Sequence, residues 1–386
     1  MPPILQYGFR PFFFLAALHA GVAIPVWLAV YFAGHILPGP FPGLAWHAHE
    51  MLFGYLGAVV TGFVLTAIPN WTGRLPLSGW PLAGLVALWL VGRVACAFVA
   101  EPVVAAAADL AFPSVLAFVI WREVVAGRNW KNAPVAAMIT LFGVANALHH
   151  AENLGLARDA LGLRLALGAA AMLIALIGGR IIPSFTRNWL VKAGETRLPV
   201  SFDRIDKAAL VKTALAAGFW VAVPESAGAG TAMAAAGTLL AARLIRWRGH
   251  RTDREPILLI LHVGYGWLAV ALLLLGASNV WDAVPESAAL HALTAGAIGT
   301  MTLAVMTRAS LGHTGREIIA DRAVVAIYCA VSLGAVLRVA APFAGEWYAK
   351  VLACGGALWS AAFLLFALRL APILFRARAT STSRRS

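Results

Sequence analysis

Ten histidines stand in this 386-residue chain, and several are spaced for metal chemistry. His47 and His49 flank Ala48, with Glu50 directly after; His149 and His150 are adjacent; His291 stands alone. Imidazole is the commonest protein ligand for iron, copper and zinc. On a helix, positions two apart point about 200° from one another and adjacent positions about 100°. His47 and His49 therefore cannot serve one ligand together, which suggests two tasks. Glu50 shares a face with His47, one turn on, where a carboxylate could orient a liganding imidazole, handle a proton or simply rest at a wet interface. Arg93 and Arg338 could hold carboxylates such as haem propionates, or snorkel to an interface.

These residues need a scaffold, and the composition names it. The chain is 61% hydrophobic and 12% charged, with mean hydropathy +0.81. One soluble core could not hide that much apolar surface, whereas a bilayer can. The apolar stretches are Leu/Ala/Val-rich runs of about 20 residues without strand alternation, so they read as transmembrane helices rather than barrel strands. Twelve spans fit, at roughly 12–35, 47–69, 80–99, 103–121, 133–151, 160–182, 207–224, 229–247, 256–277, 286–308, 323–342 and 347–370. The fold expected is all-α and polytopic: one transmembrane domain over 1–375, then a basic disordered tail, 376–386. The first run follows Arg10 without a clear cleavage site and is taken as the first span. Pro69 and Pro183 are expected to end their spans, leaving 183–206 as the longest loop.

The formal charge of +13 lies in short loops, which makes it a topology signal rather than a nucleic-acid footprint. With twelve spans, nineteen Lys and Arg fall on one side and Arg158 on the other. Both termini are then cytoplasmic. Cys96, Cys329 and Cys354 form no C-x-x-C pattern, which argues against iron–sulfur ligation and covalent haem; all three read as small core hydrophobes. The same topology puts His35, His47, His49, His149, His150 and His291 in the outer third of the membrane. A single intramembrane His is more often a helix contact, but several on three helices at one depth point to a metal or haem site.

The chain also repeats itself. Shifting span two by 242 residues lays His49 on His291, Gly54 on Gly296, Gly57 on Gly299 and Thr72-Gly73-Arg74 on Thr314-Gly315-Arg316. Shifting span six by 128 lays Gly168 on Gly296, Arg180 on Arg308 and Thr186 on Thr314. The period is four helices, and membrane folds built from repeats often place their site at the repeat interface.

Six motifs together resemble the NnrS family: Phe9-Arg10-Pro11-Phe12-Phe13, Trp46-His47-Ala48-His49-Glu50-Met51, Pro69 to Arg74, Gly179 to Pro183, Leu261 to Tyr265 and Met306 to Arg316. The resemblance spans nearly the whole chain. It implies a bacterial cytoplasmic-membrane protein that carries haem and copper and is associated with nitric oxide metabolism and nitrosative stress. Haem–copper oxidases and nitric oxide reductases offer an analogy: their cores hold twelve helices in three four-helix arcs, with a haem between a second-span and a tenth-span His. This chain differs in its His-x-His on span two, its His pair at the end of span five and Leu163 at the span-six repeat position.

On that footing, the expected cofactors are a non-covalent b-type haem between His49 and His291, with Arg93 and Arg338 near its propionates, and copper at His149, His150 and His47 with Glu50 alongside. The partners expected are the bilayer and nitric oxide, which can arrive through lipid. The function expected is a redox protein, with an enzymatic role open, that binds or reduces nitric oxide or handles its metal adducts. A transporter of a metal, haem or small anion is one alternative; an accessory or sensing protein for other metalloenzymes is another.

Overall fold

A computed structural model describes residues 1–379, the side chains of residues 70–72 excepted. Among the described residues there is no strand, and twelve long helices account for nearly all regular structure. They are α1 Phe9–Ala33, α2 Gly43–Pro69, α3 Trp80–Phe98, α4 Pro102–Ala126, α5 Trp130–Asn153, α6 Leu161–Lys192, α7 Arg204–Ala222, α8 Ala227–Arg251, α9 Pro256–Ser278, α10 Glu286–His313, α11 Arg322–Phe343 and α12 Gly345–Phe375. All but α7, eleven in number, are long and apolar enough to cross a membrane. Helix α7 carries Arg204, Asp206, Lys207 and Lys212 in its first three turns, which lowers its hydropathy. The chain is a multi-pass membrane protein. Its helices keep large apolar side chains on their outer faces, such as Leu368, 73% exposed, and Phe118, 67% exposed. Lipid solvates such faces as well as a protein core would. For the same reason Cys329 and Cys354 are exposed rather than in the core, a correction to their reading as core hydrophobes.

Contacts divide the chain into two compact units. The first comprises Met1–Ala166, Met306–Ile318 and the described residues from Phe363 on; most of the expected tail, 380–386, lies outside the described residues. Here α1 packs on α2, α3 on α4 and α4 on α5. Phe9, Phe12 and Phe13 are fully buried, and Arg10 between them donates to the Leu374 carbonyl at 2.7 Å and the Arg376 carbonyl at 2.6 Å. The last carbonyls of a helix have no partner within it. Arg10 supplies one for α12.

The second unit comprises Leu167–Val305 and Ile319–Ala362. Helix α8 packs on α7 and α9, and α9 on α10. The α8–α9 approach depends on small residues: a Cβ at Gly276 would sit 2.7 Å from the Gly230 carbonyl oxygen.

Three helices contain a π-helical segment: Glu50–Leu56 in α2, Ile174–Gly178 in α6 and Ala292–Ile298 in α10. The first and third are related by 242 residues, the offset of the sequence repeat, and begin directly after His49 and His291. Gly73 and Gly315, also 242 apart, end their helices with φ of +71° and +74°, a conformation that costs glycine nothing. The α6 segment does not follow the 128-residue offset, under which it would fall at 302–306. Neither proline stops its helix: α-helical backbone continues from α2 past Pro69 to Thr72, and α6 runs past Pro183 to Lys192. Pro183 lacks the amide that would bond the Gly179 carbonyl, and the Arg243 guanidinium takes that carbonyl at 3.4 Å instead. The long loop shrinks accordingly to 193–203.

Candidate metal centre

Four helices of the first unit bring polar side chains to one buried place. Helix α2 contributes His49 and Glu50 at the mouth of its π segment, α3 contributes Arg93 and Cys96, α4 Asp109, and α5 Asn146 and His150. The π turn leaves backbone carbonyls without their usual partners, and the Trp89 indole N–H donates to one of them, Gly54, at 3.0 Å. Two glycines let the helices close in. A Cβ on Gly54 would lie 2.9 Å from an Arg93 nitrogen, 2.9 Å from His19 Nε2 and 3.0 Å from Glu50 Oε2. A Cβ on Gly92 would lie 2.6 Å from Asp109 Oδ1.

Asp109 is the hub. Its Oδ2 lies 3.2 Å from His49 Nε2 and 3.1 Å from His150 Nε2, and it accepts the Asn146 amide at 2.7 Å. Its Oδ1 pairs with Arg93 Nη2. Arg93 Nη1 reaches Glu50 Oε1 at 2.6 Å, which is also 2.9 Å from His49 Nδ1. His19 Nε2 stands 2.9 Å from Glu50 Oε2. Phe41 covers the group, its ring stacked on His49 at 4.7 Å and on His149 at 5.2 Å.

Charge decides what this cluster can hold. Glu50 and Asp109 are each 1% exposed, so neither carboxylate is screened by water. Arg93 balances one of them. A second positive charge is needed, since an uncompensated buried charge is costly. His49 is fully buried and both its ring nitrogens face oxygens, which an imidazolium satisfies. A metal cation at the same place supplies the balance in another way. Donor atoms of His49, Cys96, Asp109 and His150 all lie within 4.8 Å of one another. Bonds of about 2.0–2.1 Å in a tetrahedral site set ligand atoms roughly 3.3 Å apart. The 3.1 and 3.2 Å spacings from Asp109 to the two imidazoles suit that geometry.

The sequence-derived residues thus divide. His49, His150, Glu50 and Arg93 meet in the cluster. His149 lies beside it, with Nδ1 3.2 Å from Glu152 and Nε2 buried without a hydrogen-bond partner. His47 leaves on the opposite helix face and stacks on Trp27 at 4.3 Å. His291 and Arg338 belong to the second unit; both are half-buried, and His291 Nδ1 lies 2.7 Å from the Ser287 carbonyl oxygen.

Asp109, Asn146, Cys96 and His19 are what the sequence reading missed as site residues. Asp109 left a signal, since a lone carboxylate within the apolar 103–120 stretch is a functional candidate by itself. Asn146 lies one turn before His150. His19, inside the apolar first span, left the same kind of signal, whereas Cys96 left none, because only the helix packing brings it here.

Comparison with curated proteins returns no match. Residues 3–378 match the family described as NnrS protein. With the match covering nearly the whole chain, on an all-helical membrane scaffold with a buried donor cluster, this chain belongs to the NnrS family.

Proposed function

We propose that this chain is a metal-carrying redox protein of the bacterial cytoplasmic membrane, with both termini cytoplasmic, which binds or reduces nitric oxide or handles its metal adducts. One observation supports this reading above the others: two imidazoles and a carboxylate converge on one buried point beside a cysteine. The donor set fits copper, with His49, His150, Asp109 and Cys96 as ligands and Glu50 on the far ring nitrogen of His49. Copper there would supply one-electron chemistry. His149 Nε2, buried and unpartnered, is a further nitrogen at hand. The buried Phe41 and Phe53 rings against His49 would keep water from that site, and nitric oxide, small and apolar, could reach it from lipid.

For the b-type haem, His291 and Arg338 are the second unit's offerings. His49 would have to release Glu50, or Asp109 and Asn146, before it could ligate iron.

The test is metal analysis and a reduced-minus-oxidised optical spectrum on the full-length protein purified in detergent, for wild type and for His150→Ala, His49→Ala and His291→Ala. Copper lost in His150→Ala, with a haem band lost in His291→Ala, supports the assignment. Copper retained in His150→Ala removes it from the ligand set. A wild-type sample with neither copper nor haem, from cells supplied with both, would favour the transporter reading.

A further inference from the structure

A different cleft lies in the second unit, at the far end of α6, with a volume of about 570 Å³. Its floor is the buried Arg243 and Trp247, and its walls carry Arg180, Arg187 and Phe202. Arg243 is fully engaged: Nε donates to Asp206 at 2.6 Å, and Nη1 donates to the Ala175 carbonyl at 2.8 Å and the Tyr265 hydroxyl at 3.0 Å. That pairing neutralises Asp206, the one carboxylate lining the cleft.

Arg180 and Arg187 are left over. Seven residues apart on one helix, they share a face with about 10 Å between their backbones. Arg180 is exposed and makes no hydrogen bond or ion pair among the described residues. Arg187 uses one nitrogen, on the Pro199 carbonyl at 2.9 Å. Two guanidinium groups thus face a cleft with no carboxylate to meet them. The comparable cleft in the first unit, about 520 Å³, differs on this point: its Glu123 accepts from Arg74 at 2.5 Å and from Arg122 at 2.8 Å.

Depth narrows the ligand. Helix α6 has 32 residues, and at about 1.5 Å per residue it outruns a hydrocarbon layer of about 30 Å. Arg180 lies 19 residues after Leu161, the start of α6, so it stands where the hydrocarbon ends and phosphate headgroups begin. Basic pockets between membrane helices at this level suit anionic headgroups, and guanidinium forks match phosphate oxygens. We infer that the Arg180–Arg187 cleft binds a phosphate group, borne by an acidic phospholipid or by a soluble phosphate compound. The inference stands apart from the metal centre and survives its failure.

The test compares full-length wild type with Arg180→Gln/Arg187→Gln, both delipidated in detergent and titrated with phosphatidylglycerol, phosphatidylcholine or inorganic phosphate. Binding is read by native mass spectrometry for lipids and by thermal shift for phosphate. Loss of each charged hydrogen bond should weaken binding roughly tenfold. Preference for phosphatidylglycerol over phosphatidylcholine, lost in the double variant, identifies a lipid source. Stabilisation by inorganic phosphate alone, lost in the same variant, identifies a soluble one. Equal behaviour of wild type and variant toward all three probes overturns the inference. Should the double variant misfold, Arg180→Ala at its exposed position carries the same test, with roughly a tenfold loss expected.

Discussion

Asp109→Asn is the sharpest probe of the buried cluster. The substitution keeps the shape of the side chain and removes its charge. Asp109 now receives Arg93, His49, His150 and Asn146 within an environment that is 1% exposed. With an amide there, one Asp109 oxygen becomes a donor facing donors, and the Arg93 cation keeps only Glu50. Breaking a buried ion pair from one side costs about 3–5 kcal/mol. At roughly 2–4 °C per kcal/mol for a unit of this size, the melting temperature should fall by roughly 10 °C. Metal binding should suffer as well, because the hub is also a ligand. Glu50→Gln is the comparison: it also loses its ion pair with Arg93, but among the proposed ligands it touches only His49, at the far ring nitrogen, and should weaken metal binding by about 10–100-fold, with Asp109→Asn beyond that range. The assay is a copper titration followed by elemental analysis, with a melting curve on the same detergent-purified samples. An Asp109→Asn protein that binds copper like wild type and melts within about 1 °C of it would refute both the charge argument and the ligand assignment.

Gly54→Ala should disturb the cluster without touching any ligand, since its Cβ would press on Arg93, His19 and Glu50; a loss of about 1–3 kcal/mol in thermal stability is expected, and an unchanged melting curve would show that the close approach is not needed. Arg243→Met should cost about 1.5–3 kcal/mol by stranding the Ala175 carbonyl and leaving Asp206 with Arg246, 3.6 Å away, as its one cation, while adding Asp206→Leu should restore part of it; a double variant no better than the single one, again by melting temperature, counts against a charge-balance role. At the start of α7, the Arg246 guanidinium holds the Asp203 carboxyl down at about 2, below the ordinary carboxylate range. The folded state therefore favours the ionised form, so the cap is fully present above about pH 4 and fades as pH falls toward 2. Hydrogen exchange at Ile205 and Asp206, corrected for intrinsic rates, should show protection held from about pH 5 down to about pH 3, and a loss centred near pH 4, where an unpaired aspartate titrates, would contradict the pairing.

The membrane fold was legible because the bilayer imposes a local rule. Each crossing segment must satisfy its own backbone and present about 20 apolar residues, so hydropathy marks it without knowledge of its neighbours. The 242-residue repeat was legible for a related reason. Gly73 and Gly315 end helices in a conformation that nearly requires glycine, and the sequence keeps glycine at both. The π segments after His49 and His291 share that offset, although nothing in the local residue pattern announces a π turn. Pro183 misled because its missing hydrogen bond is made good from another helix, by Arg243, 60 positions away.

The candidate site divides along the same line. Sequence by itself determined which helices carry imidazoles and at which ends, because helix length and apolar depth fix both. His49, His150, Glu50 and Arg93 could be singled out on that basis. Tertiary structure alone decided which of them meet. It turned His47 to Trp27, set Asp109 between His49 and His150, and brought Cys96 and Asn146 into the same group. Helical periodicity gives a direction around each axis but not the rotation of one helix against the next. That rotation is set by close approaches such as those at Gly54 and Gly92, where the absence of a side chain lets charged groups from neighbouring helices share one buried space.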